Sequence, residues 1–489
     1  MSDGAWLGVD LGTQGVRALA VSARGEVLAA AERPLASCRT GPRHEQDPEE
    51  WWTAFTGVCR EVTAALPSVP VEALAICGTS GTIALVDAAG APLSPGLMYD
   101  DARAVEEAER VEAMGGEVWE SLGYRMQPSW ALPKLLWLLR EHGDGAPGAR
   151  LAHQVDFVLG RLLGRAVSAD WSHALKTGYD LVHDAWPEDV MAALGVPEGV
   201  LPAVVRPGSE IGALGRAGAE ASGIAAGTPV IAGMTDGCAA QLATGALAAG
   251  NWNSVLGTTL VLKGVAPELI HDPHGAVYSH RSPDGHWLPG GASSAGAGVL
   301  AARFPGRDLA ELDRRAAGRE PAAVLAYPLL SRGERFPFAV PEAEGFVLGE
   351  PADEADHFAA LLQGVAYVER LCFDYLDHLG APTGGELSLT GGATRSRYWC
   401  QLRADVLGRP VRLVEHPAPA FGMAVLAASR ARPLPEAARA MVRAREVIDP
   451  RADRVERFRE PYVRLVGELE RRGWLEPGVA EHARGRATP

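Results

Sequence analysis

Cysteine is scarce in this chain, and its spacing is typical of neither disulfide frameworks nor structural zinc sites. The 489 residues include six cysteines, and no two of them form a C-x-x-C pair. The regular spacing of small disulfide-rich domains and the paired spacing of zinc ligands are therefore both missing. The sequence also lacks an opening segment that is first basic and then apolar, so we expect no export. These absences favour a cytoplasmic protein in a reducing compartment.

Positive charge is also in short supply. The chain has 46 basic and 61 acidic residues and a net charge of −15, and no basic stripe is interleaved with aromatic residues. Such a surface repels an extended phosphate backbone or an anionic membrane. One uncharged stretch, 237–262, has the length of a membrane span, but several glycines interrupt it, so it is typical of a buried helix, turn and strand. We expect neither nucleic acid nor a membrane as partner, but a monomer or homodimer that acts on a small molecule.

Two short glycine turns divide the chain into halves. The first is Asp10-Leu11-Gly12-Thr13-Gln14-Gly15 and the second is Val255-Leu256-Gly257-Thr258-Thr259-Leu260, each with strand-like sequence on both sides. A glycine lets backbone N–H groups approach an anion closely, and neighbouring hydroxyls add donors. Two such tips facing each other would hold a polyphosphate; the alternative is two ordinary hairpin turns. The candidate phosphate contacts are Asp10, Thr13, Gln14, Gly257, Thr258 and Thr259.

The order of predicted elements indicates an α/β protein of more than one domain. The chain is too long for a single core. Asp47-Pro48 is typical of a helix start, and we predict a helix to about residue 65, followed by strands at 73–77 and 82–86. Further helices are expected at 102–114, 134–141, 188–194, 237–247 and 355–379, with strands at 229–233 and 386–389. We predict an N-terminal domain at 1–249, a C-terminal domain at 250–432 and a helical extension at 433–489.

Asp236 and Asp10 are the candidate chemical groups. Asp236 follows a predicted strand and opens a helix, where the helix dipole stabilises an ionised carboxylate that is able to act as a base toward a hydroxyl. The alternative is a plain N-cap. Asp10 begins the first glycine turn, and a carboxylate beside phosphate fits an intervening Mg²⁺ bound through water. The alternative interpretation of Asp10 is an aspartate that caps a hairpin.

A third glycine turn, at 389–399, joins a predicted strand to the start of a predicted helix. Its Gly391 and Gly392 leave the backbone able to lie against a flat base or ribose, with Ala393 and Ser396 beside them. The run 296–301 imitates a dinucleotide fingerprint, but a Gly-Ala-Ser run precedes it in place of an apolar strand, so no Rossmann site is predicted. Gly296 is kept as a candidate nucleotide contact.

Taken together, these motifs resemble the FGGY family of carbohydrate kinases, and they follow the family's order along nearly the whole chain. The matching segments are Asp10 to Gly15 (first phosphate motif), 45–52 (following helix signature), Tyr99-Asp100-Asp101-Ala102-Arg103 (sugar-contacting segment), Asp236 (catalytic aspartate), Gly257-Thr258-Thr259 (second phosphate motif), Gly333-Glu334-Arg335 with Pro337 (G-E-R-x-P signature) and 391–399 (adenosine motif). The resemblance implies a duplicated actin-like ATPase fold, related to ribonuclease H, with two domains and a cleft between them.

The resemblance also implies an activity, the ATP-dependent phosphorylation of a sugar or polyol hydroxyl. Substrate would lie in the cleft, Asp236 would be the general base, and Mg²⁺ would be held by Asp10 and Asp236 through water. Closure of the domains would exclude water from the reaction.

Departures from the family pattern bear on the sugar. Typical xylulokinases have Met-His-Gly where this chain has Thr79-Ser80-Gly81, and Asp-Asn where it has Asp236-Gly237. The run 78–82 is instead similar to xylulose-kinase-like proteins that act as D-ribulose kinases, as are the runs 173–179, 278–280 and 331–337. We therefore expect a ketopentose, D-ribulose first and D-xylulose next. The expected sugar contacts are Thr79, Ser80, Gly81, Asp101 and Asp236.

Three points stay open. Ala393 replaces the family's third glycine, and Gln14 replaces a commoner serine and would contact phosphate or sugar. The rival functions are an actin-like ATPase without sugar kinase activity and a sugar-sensing protein that does not modify its ligand.

Overall fold

Strands and helices are interspersed along the chain. The computed structural model describes residues 4–142 and 148–487. The strands in this part are β1 (Ala5–Leu11), β2 (Gly15–Ser22), β3 (Val27–Pro34), β4 (Cys38–Thr40), β5 (Arg43–Gln46), β6 (Val71–Gly78), β7 (Ile83–Val86), β8 (Gly96–Leu97), β9 (Arg150–His153), β10 (Ala169–Asp170), β11 (Val204–Val205), β12 (Glu210–Ala213), β13 (Pro229–Ile231), β14 (Trp252–Leu256), β15 (Leu260–Gly264), β16 (Tyr278–Arg281), β17 (Trp287–Ser293), β18 (Leu325–Tyr327), β19 (Phe346–Leu348), β20 (Leu387–Thr390), β21 (Val411–Val414) and β22 (Ala444–Ile448).

The helices have the following bounds. They are α1 (Pro48–Ala64), α2 (Val105–Ser121), α3 (Ala131–His142), α4 (Gln154–Leu163), α5 (Trp171–Ala174), α6 (Glu188–Ala193), α7 (Arg216–Ser222), α8 (Asp236–Thr244), α9 (Gly298–Arg303), α10 (Leu309–Ala316), α11 (Glu354–His378), α12 (Arg397–Leu407), α13 (Pro419–Ala428), α14 (Leu434–Met441), α15 (Ala452–Arg471) and α16 (Pro477–Ala487). Short 3₁₀ turns lie at Leu175–Thr177 and Gly392–Arg395.

The chain divides into two compact units. The first comprises Met1–Gly245, His280–His286 and His416–Arg443, and the second comprises Ala246–Ser279, Trp287–Glu415 and Ala444–Pro489. The predicted limits at 249 and 432 follow the order of the chain, whereas these units exchange segments. Residues 416–443 belong to the first unit because α13 packs on the sheet of that unit.

Glycines allow this packing of α13. A Cβ atom at Gly8 of β1 would lie 1.9 Å from the Ala420 carbonyl oxygen of α13, and one at Gly422 would lie 1.9 Å from the Ala239 carbonyl oxygen of α8. Only residues without a side chain permit such an approach of backbones. Helix α8, which begins with Asp236, is thereby fixed against α13.

The first unit is built on a six-stranded sheet in the order β12-β13-β6-β1-β2-β3. Strand β1 pairs antiparallel with β2 and parallel with β6, which pairs parallel with β13. A second sheet of the same unit has the order β4-β5-β8-β7-β9. The carboxyl ends of β1, β6 and β13 therefore meet at one edge, where open α/β sheets carry their sites.

The second unit repeats this plan. Its sheet has the order β16-β17-β15-β14-β20-β21-β22. Strand β14 pairs antiparallel with β15 and parallel with β20, as β1 does with β2 and β6. The antiparallel edge strand β22 occupies the place that β12 has in the first unit. The duplicated α/β architecture expected from the sequence is present.

Each unit has its own apolar core. In the first, Leu7, Val9 and Ile76 of the central strands pack with Trp51 and Phe55 of α1. In the second, the long helix α11 supplies much of a separate cluster, which also includes residues of α15 and α16. The predicted extension 433–489 thus contributes buried side chains such as Phe458 and Tyr462. Among the described residues, no helix combines the length and the apolar character that a membrane span needs.

Candidate active site

The first glycine turn is a hairpin tip held by its neighbours. The Gly12 N–H donates to the Gly15 carbonyl at 3.0 Å, and the Leu35 N–H donates to the Gln14 carbonyl at 3.0 Å. The Gln46 side chain donates to the Thr13 carbonyl at 2.7 Å. In all three bonds a carbonyl group of the turn is the acceptor. The Thr13 side chain is half-buried and the Gln14 side chain is exposed.

Asp10 lies at the end of β1, between Arg17 of β2 and Cys77 of β6 in the strand register. The Cys77 thiol lies 3.5 Å from its Oδ1 atom. Burial and the nearby charge of Asp236 raise the pKa of Asp10 from its ordinary value of 3.8 to about 7. A carboxylate held near a second negative charge forms the kind of site that a hard cation stabilises.

Asp236 is the first residue of α8 and is half-buried. Its Oδ1 atom accepts from the Gly237 N–H at 2.7 Å, and Thr235 before it forms a parallel bridge with Gly78 at the end of β6. The Thr235 N–H donates to the Ser172 hydroxyl at 2.9 Å. The start of α8 is therefore held between the central sheet and α5.

Ser172 is itself fixed by Asp170, the N-cap of α5. The Ser172 hydroxyl donates to Asp170 Oδ1 at 2.6 Å, and His173 Nδ1 lies 2.5 Å from Asp170 Oδ2. Burial alone would lower the pKa of His173, but the Asp170 carboxylate opposes this, and the pKa is raised overall. Sequence reasoning noted the run 173–179 but missed the role of Ser172, whose signal is the N-cap pattern Asp-x-Ser.

The turn 78–81 brings Thr79, Ser80 and Gly81 beyond the end of β6. The Thr79 hydroxyl is buried and lies 2.5 Å from the Thr82 hydroxyl and 3.2 Å from Gln154 Oε1. The Ser80 hydroxyl is buried and has no hydrogen-bond partner among the described residues. Thr79 is thus engaged inside the protein, whereas the Ser80 hydroxyl keeps its hydrogen-bonding capacity for another group.

Two lysines that sequence reasoning missed support this turn. Lys134 is fully buried in the apolar helix α3, and its Nζ donates to the Gly81 and Met98 carbonyls, each at 2.7 Å. Burial lowers the pKa of Lys134 from 10.5 to about 7. Lys176 Nζ donates to the Ser80 carbonyl at 3.3 Å. The signal for Lys134 was a single charge within the apolar run 131–139 of this helix.

Asp101, the predicted sugar contact, is buried in an ion pair. Its carboxylate accepts from the Arg103 guanidinium, with a shortest distance of 2.6 Å, and from the His44 N–H at 2.7 Å. Arg103 also pairs with Glu45 at 2.7 Å. The structure therefore shows Asp101 as an anchor for its own segment, and contact with sugar remains a prediction.

In the second unit, the glycine turn 257–259 joins β14 to β15. The Gly257 N–H donates to the Thr259 carbonyl at 3.0 Å, and a Cβ at Gly257 would meet no atom within 4 Å. Thr258 is exposed. Gly296 packs against this turn, since a Cβ there would lie 2.4 Å from the Thr258 carbonyl oxygen. The run 296–301 follows strand β17, but β17 pairs antiparallel with β15, so the arrangement is not the parallel βαβ unit of a Rossmann site.

The turn 391–396 lies at the same end of the second sheet. Gly391 has a φ of +87°, and a Cβ there would lie 2.5 Å from the Leu256 carbonyl oxygen, so the turn abuts the end of β14. Gly392 is exposed with open space above it, whereas Ala393 is buried. The Ser396 hydroxyl caps α12 by accepting from the Trp399 N–H at 3.0 Å.

The predicted residues thus form two groups, each within one unit. Asp10 and Asp236 lie within electrostatic reach of each other, and Thr235 joins Asp236 to the end of β6 that precedes the turn 78–81. Gly257, Gly296 and Gly391 form one continuous backbone surface. Within 4–142 and 148–487, no group of three or more His, Cys, Asp or Glu side chains is arranged to hold a metal. The carboxylates of Asp10 and Asp236, which interact electrostatically, would suit a cation that takes its other ligands from water and phosphate.

Comparisons with known proteins agree with this geometry. Residues 5–243 match the FGGY family of carbohydrate kinases, N-terminal domain, and residues 252–431 match the C-terminal domain of that family. The chain is 31% identical over 449 residues to the xylulose kinase of Escherichia coli (strain K12), covering 88% of this chain and 90% of the relative.

Solved structures give the same result. A xyloylose kinase from Brucella ovis is similar with a TM-score of 0.87 and 27% identity, covering 96% of this chain and 100% of that one. A xylulose kinase from Rhodospirillum rubrum has a TM-score of 0.86 and 26% identity, covering 96% and 99%. The chain therefore belongs to the FGGY family of carbohydrate kinases, phosphotransferases of actin-like fold that use a sugar as the acceptor.

Proposed function

We propose that this protein phosphorylates the terminal hydroxyl of a ketopentose with ATP, and that D-ribulose is preferred over D-xylulose. Family membership and the likeness to xylulose kinases support the pentulose class. The departures at Thr79-Ser80-Gly81 and Asp236-Gly237 count against D-xylulose, because an imidazole and an amide typical of xylulokinases are missing there, and the similarity of the run 78–82 to D-ribulose kinases supports D-ribulose. The free cysteines of the chain support a reducing compartment, the cytoplasm.

The carboxylate of Asp236 carries the proposal. It stands at the start of α8, beside the end of β6 and the turn 78–81. We assign it the role of general base, which takes the proton of the sugar hydroxyl as that oxygen attacks the terminal phosphoryl group. The Gly237 N–H directs the carboxylate, which lies at the N-terminal, positive end of the α8 dipole.

The sugar would bind next to Asp236. The Ser80 hydroxyl, buried and without a partner among the described residues, is the best candidate to bond a sugar hydroxyl, because an unpaired buried donor is unfavourable. Lys134 and Lys176 keep the turn in place through the Gly81 and Ser80 carbonyls. Gly81 and Asp101 would then shape the pocket, whereas Thr79 would position the turn from within.

In the first unit the donors of Thr13 and Gln14, and in the second unit the donors of Thr258 and Thr259, would bind phosphate groups, because the Gly12 and Gly257 N–H groups are already bonded within their turns. Gly296 and Ala393 would act as packing surfaces. Asp10 and Asp236 would hold Mg²⁺ through water, and the ion supplies charge neutralisation for the transferring phosphoryl group. The effect of the Asp236 charge on the pKa of Asp10 supports that assignment.

A substrate panel tests the proposal. ADP release with MgATP is measured for D-ribulose, D-xylulose, L-ribulose, L-xylulose, ribitol, gluconate and glycerol. We expect kcat/KM to be highest for D-ribulose; a best result with gluconate or glycerol refutes the pentulose assignment, and turnover without any sugar supports the rival ATPase. Asp236→Asn should lower kcat at least about 10²-fold while sugar binding persists.

A further inference from the structure

Glu334 of the G-E-R-x-P signature receives hydrogen bonds from an unusual number of donors. The carboxylate is buried. Its Oε1 accepts from the backbone N–H groups of Ser294 (2.6 Å), Arg335 (2.9 Å) and Phe336 (3.5 Å), and its Oε2 accepts from the hydroxyls of Ser293 (3.0 Å) and Tyr327 (2.7 Å). The three backbone N–H groups can only donate, so they need the acceptor oxygen that Glu334 provides, and the two hydroxyls donate to its other oxygen.

The segment that Glu334 holds lies along the turn 257–259. The Leu260 N–H donates to the Ala295 carbonyl at 2.8 Å. The Ala297 and Gly298 N–H groups donate to the Gly257 carbonyl at 2.9 Å and the Thr258 carbonyl at 3.1 Å. The segment 293–298 is therefore bonded to both sides of the turn.

The turn has little support of its own. Gly257 has open space where a side chain would be, and Thr258 is exposed. Ser293 links Glu334 to the segment, because its hydroxyl also accepts from the Ala295 N–H at 3.0 Å. One carboxylate thus fixes the start of the segment whose other residues shape the turn.

We propose that Glu334 is a positioning residue that presets the turn 257–259 for nucleotide phosphate, acting through the segment 293–298. It does not touch the nucleotide. The inference rests on the proposed function, in which this turn binds phosphate of ATP. Preset donors are more effective than mobile ones because they do not reorganise on binding.

The test replaces Glu334 with its amide isostere. Glu334→Gln keeps the volume but removes the charge, and its NH₂ group, turned toward Ser293 and Tyr327, cannot accept the two hydroxyl bonds that Oε2 accepts in the wild type. We expect the Kd for ADP, measured by calorimetry without sugar, to rise about tenfold, and the KM for ATP to rise by a similar factor. The KM for sugar should change less than about twofold, since the sugar residues belong to the first unit.

Asp356→Asn is the matched control. Asp356 is likewise a buried carboxylate of the second unit, and it accepts from the Ala323 N–H at 2.8 Å and the Ala352 N–H at 3.0 Å. Its amide variant should lower the Tm and leave the Kd for ADP unchanged. A general loss of stability would instead weaken ADP binding equally in both variants, which would overturn the inference.

A second variant covers the case in which Glu334→Gln does not fold. Ser293→Ala removes the bond that links Glu334 to the segment 293–298 and also the acceptor of the Ala295 N–H, and we expect it to weaken ADP binding about threefold. Unchanged ADP affinity in Ser293→Ala, or in a folded Glu334→Gln, overturns the inference. ADP binding by the wild-type chain without turnover of any sugar would refute the proposed function alone, because the positioning role is measured without sugar.

Discussion

The carboxylate of Asp10 should make the stability of the protein depend on pH in a direction opposite to that of an ordinary acidic residue. The pKa of Asp10 is about 7 in the folded protein, against an ordinary value of 3.8. Below the ordinary value, both states carry the proton and the full stability is present. As the pH rises toward 7, the unfolded chain has released a proton that the folded protein retains, so the folded state loses stability. Above about pH 7 the loss is complete.

The size of this loss follows from the shift. A difference of about three pKa units corresponds to about 4 kcal/mol in total, of which about 3 kcal/mol accrues between pH 5 and pH 8. Asp10→Asn cannot ionise and does not undergo this loss. Between pH 5 and pH 8, the free energy of unfolding of the variant should therefore rise by about 3 kcal/mol relative to that of the wild type.

Urea unfolding at pH 5 and pH 8, with EDTA to remove divalent cations, measures the difference. Burial is the larger cause of the shift and the charge of Asp236 the second. In an Asp236→Asn background, the effect of Asp10→Asn should accordingly persist at reduced size. A difference between Asp10→Asn and the wild type that is the same at both pH values would refute the reasoning, because Asp10 would then ionise normally.

Three further predictions concern single contacts. Ser172→Ala leaves the Thr235 N–H without its acceptor and loosens the start of α8; kcat should fall about tenfold with an unchanged KM for ATP, and a normal kcat in steady-state assays would contradict the proposed hold. Gly8→Ala places a Cβ 1.9 Å from a backbone oxygen of α13 and should prevent folding as judged by circular dichroism, whereas Gly116→Ala, whose Cβ has its nearest neighbour 3.9 Å away, should stabilise α2 by about 0.5–1 kcal/mol. Asp47→Ala removes the N-cap that accepts from the Glu49 N–H and should cost about 1 kcal/mol in urea unfolding, with no effect expected on kcat.

Local signals predicted the elements that they control. Asp47 and Pro48 predicted the start of α1, and Asp47 indeed caps that helix. The two glycine turns predicted hairpins, and both are hairpin tips between paired strands. These signals work from sequence because a cap or a tight turn is decided by residues within four positions.

Helix α2 shows where packing overrides such signals. The prediction ended it at residue 114, before Gly115 and Gly116, but the helix continues to Ser121. The Trp119 ring lies over Gly115, at 2.6 Å from the position of a Cβ, so burial of an aromatic side chain compensates for two poor helix formers. The glycine that predicted an end is required for the packing that continues the helix.

The positions of the candidate residues were predictable from the sequence, but the contacts that support them were not. Asp10 and Asp236 could be recognised because each follows a strand and begins a turn or helix. The hydrogen bond from the Thr235 N–H to Ser172 joins residues 63 positions apart, and Glu334 gathers its Ser293 donor from 41 positions away. Such convergence depends on tertiary packing, which no local pattern records.

The central claim is that Asp236 activates the hydroxyl of a pentulose for phosphoryl transfer. Its most direct test is the identification of the product formed from D-ribulose and MgATP by phosphorus–carbon coupling in NMR spectra, for the wild type and Asp236→Asn side by side. The account predicts a monophosphate on the terminal carbon with the wild type and almost none with the variant in the same time. Equal formation of sugar phosphate by both proteins, or a phosphate on another carbon, would contradict it.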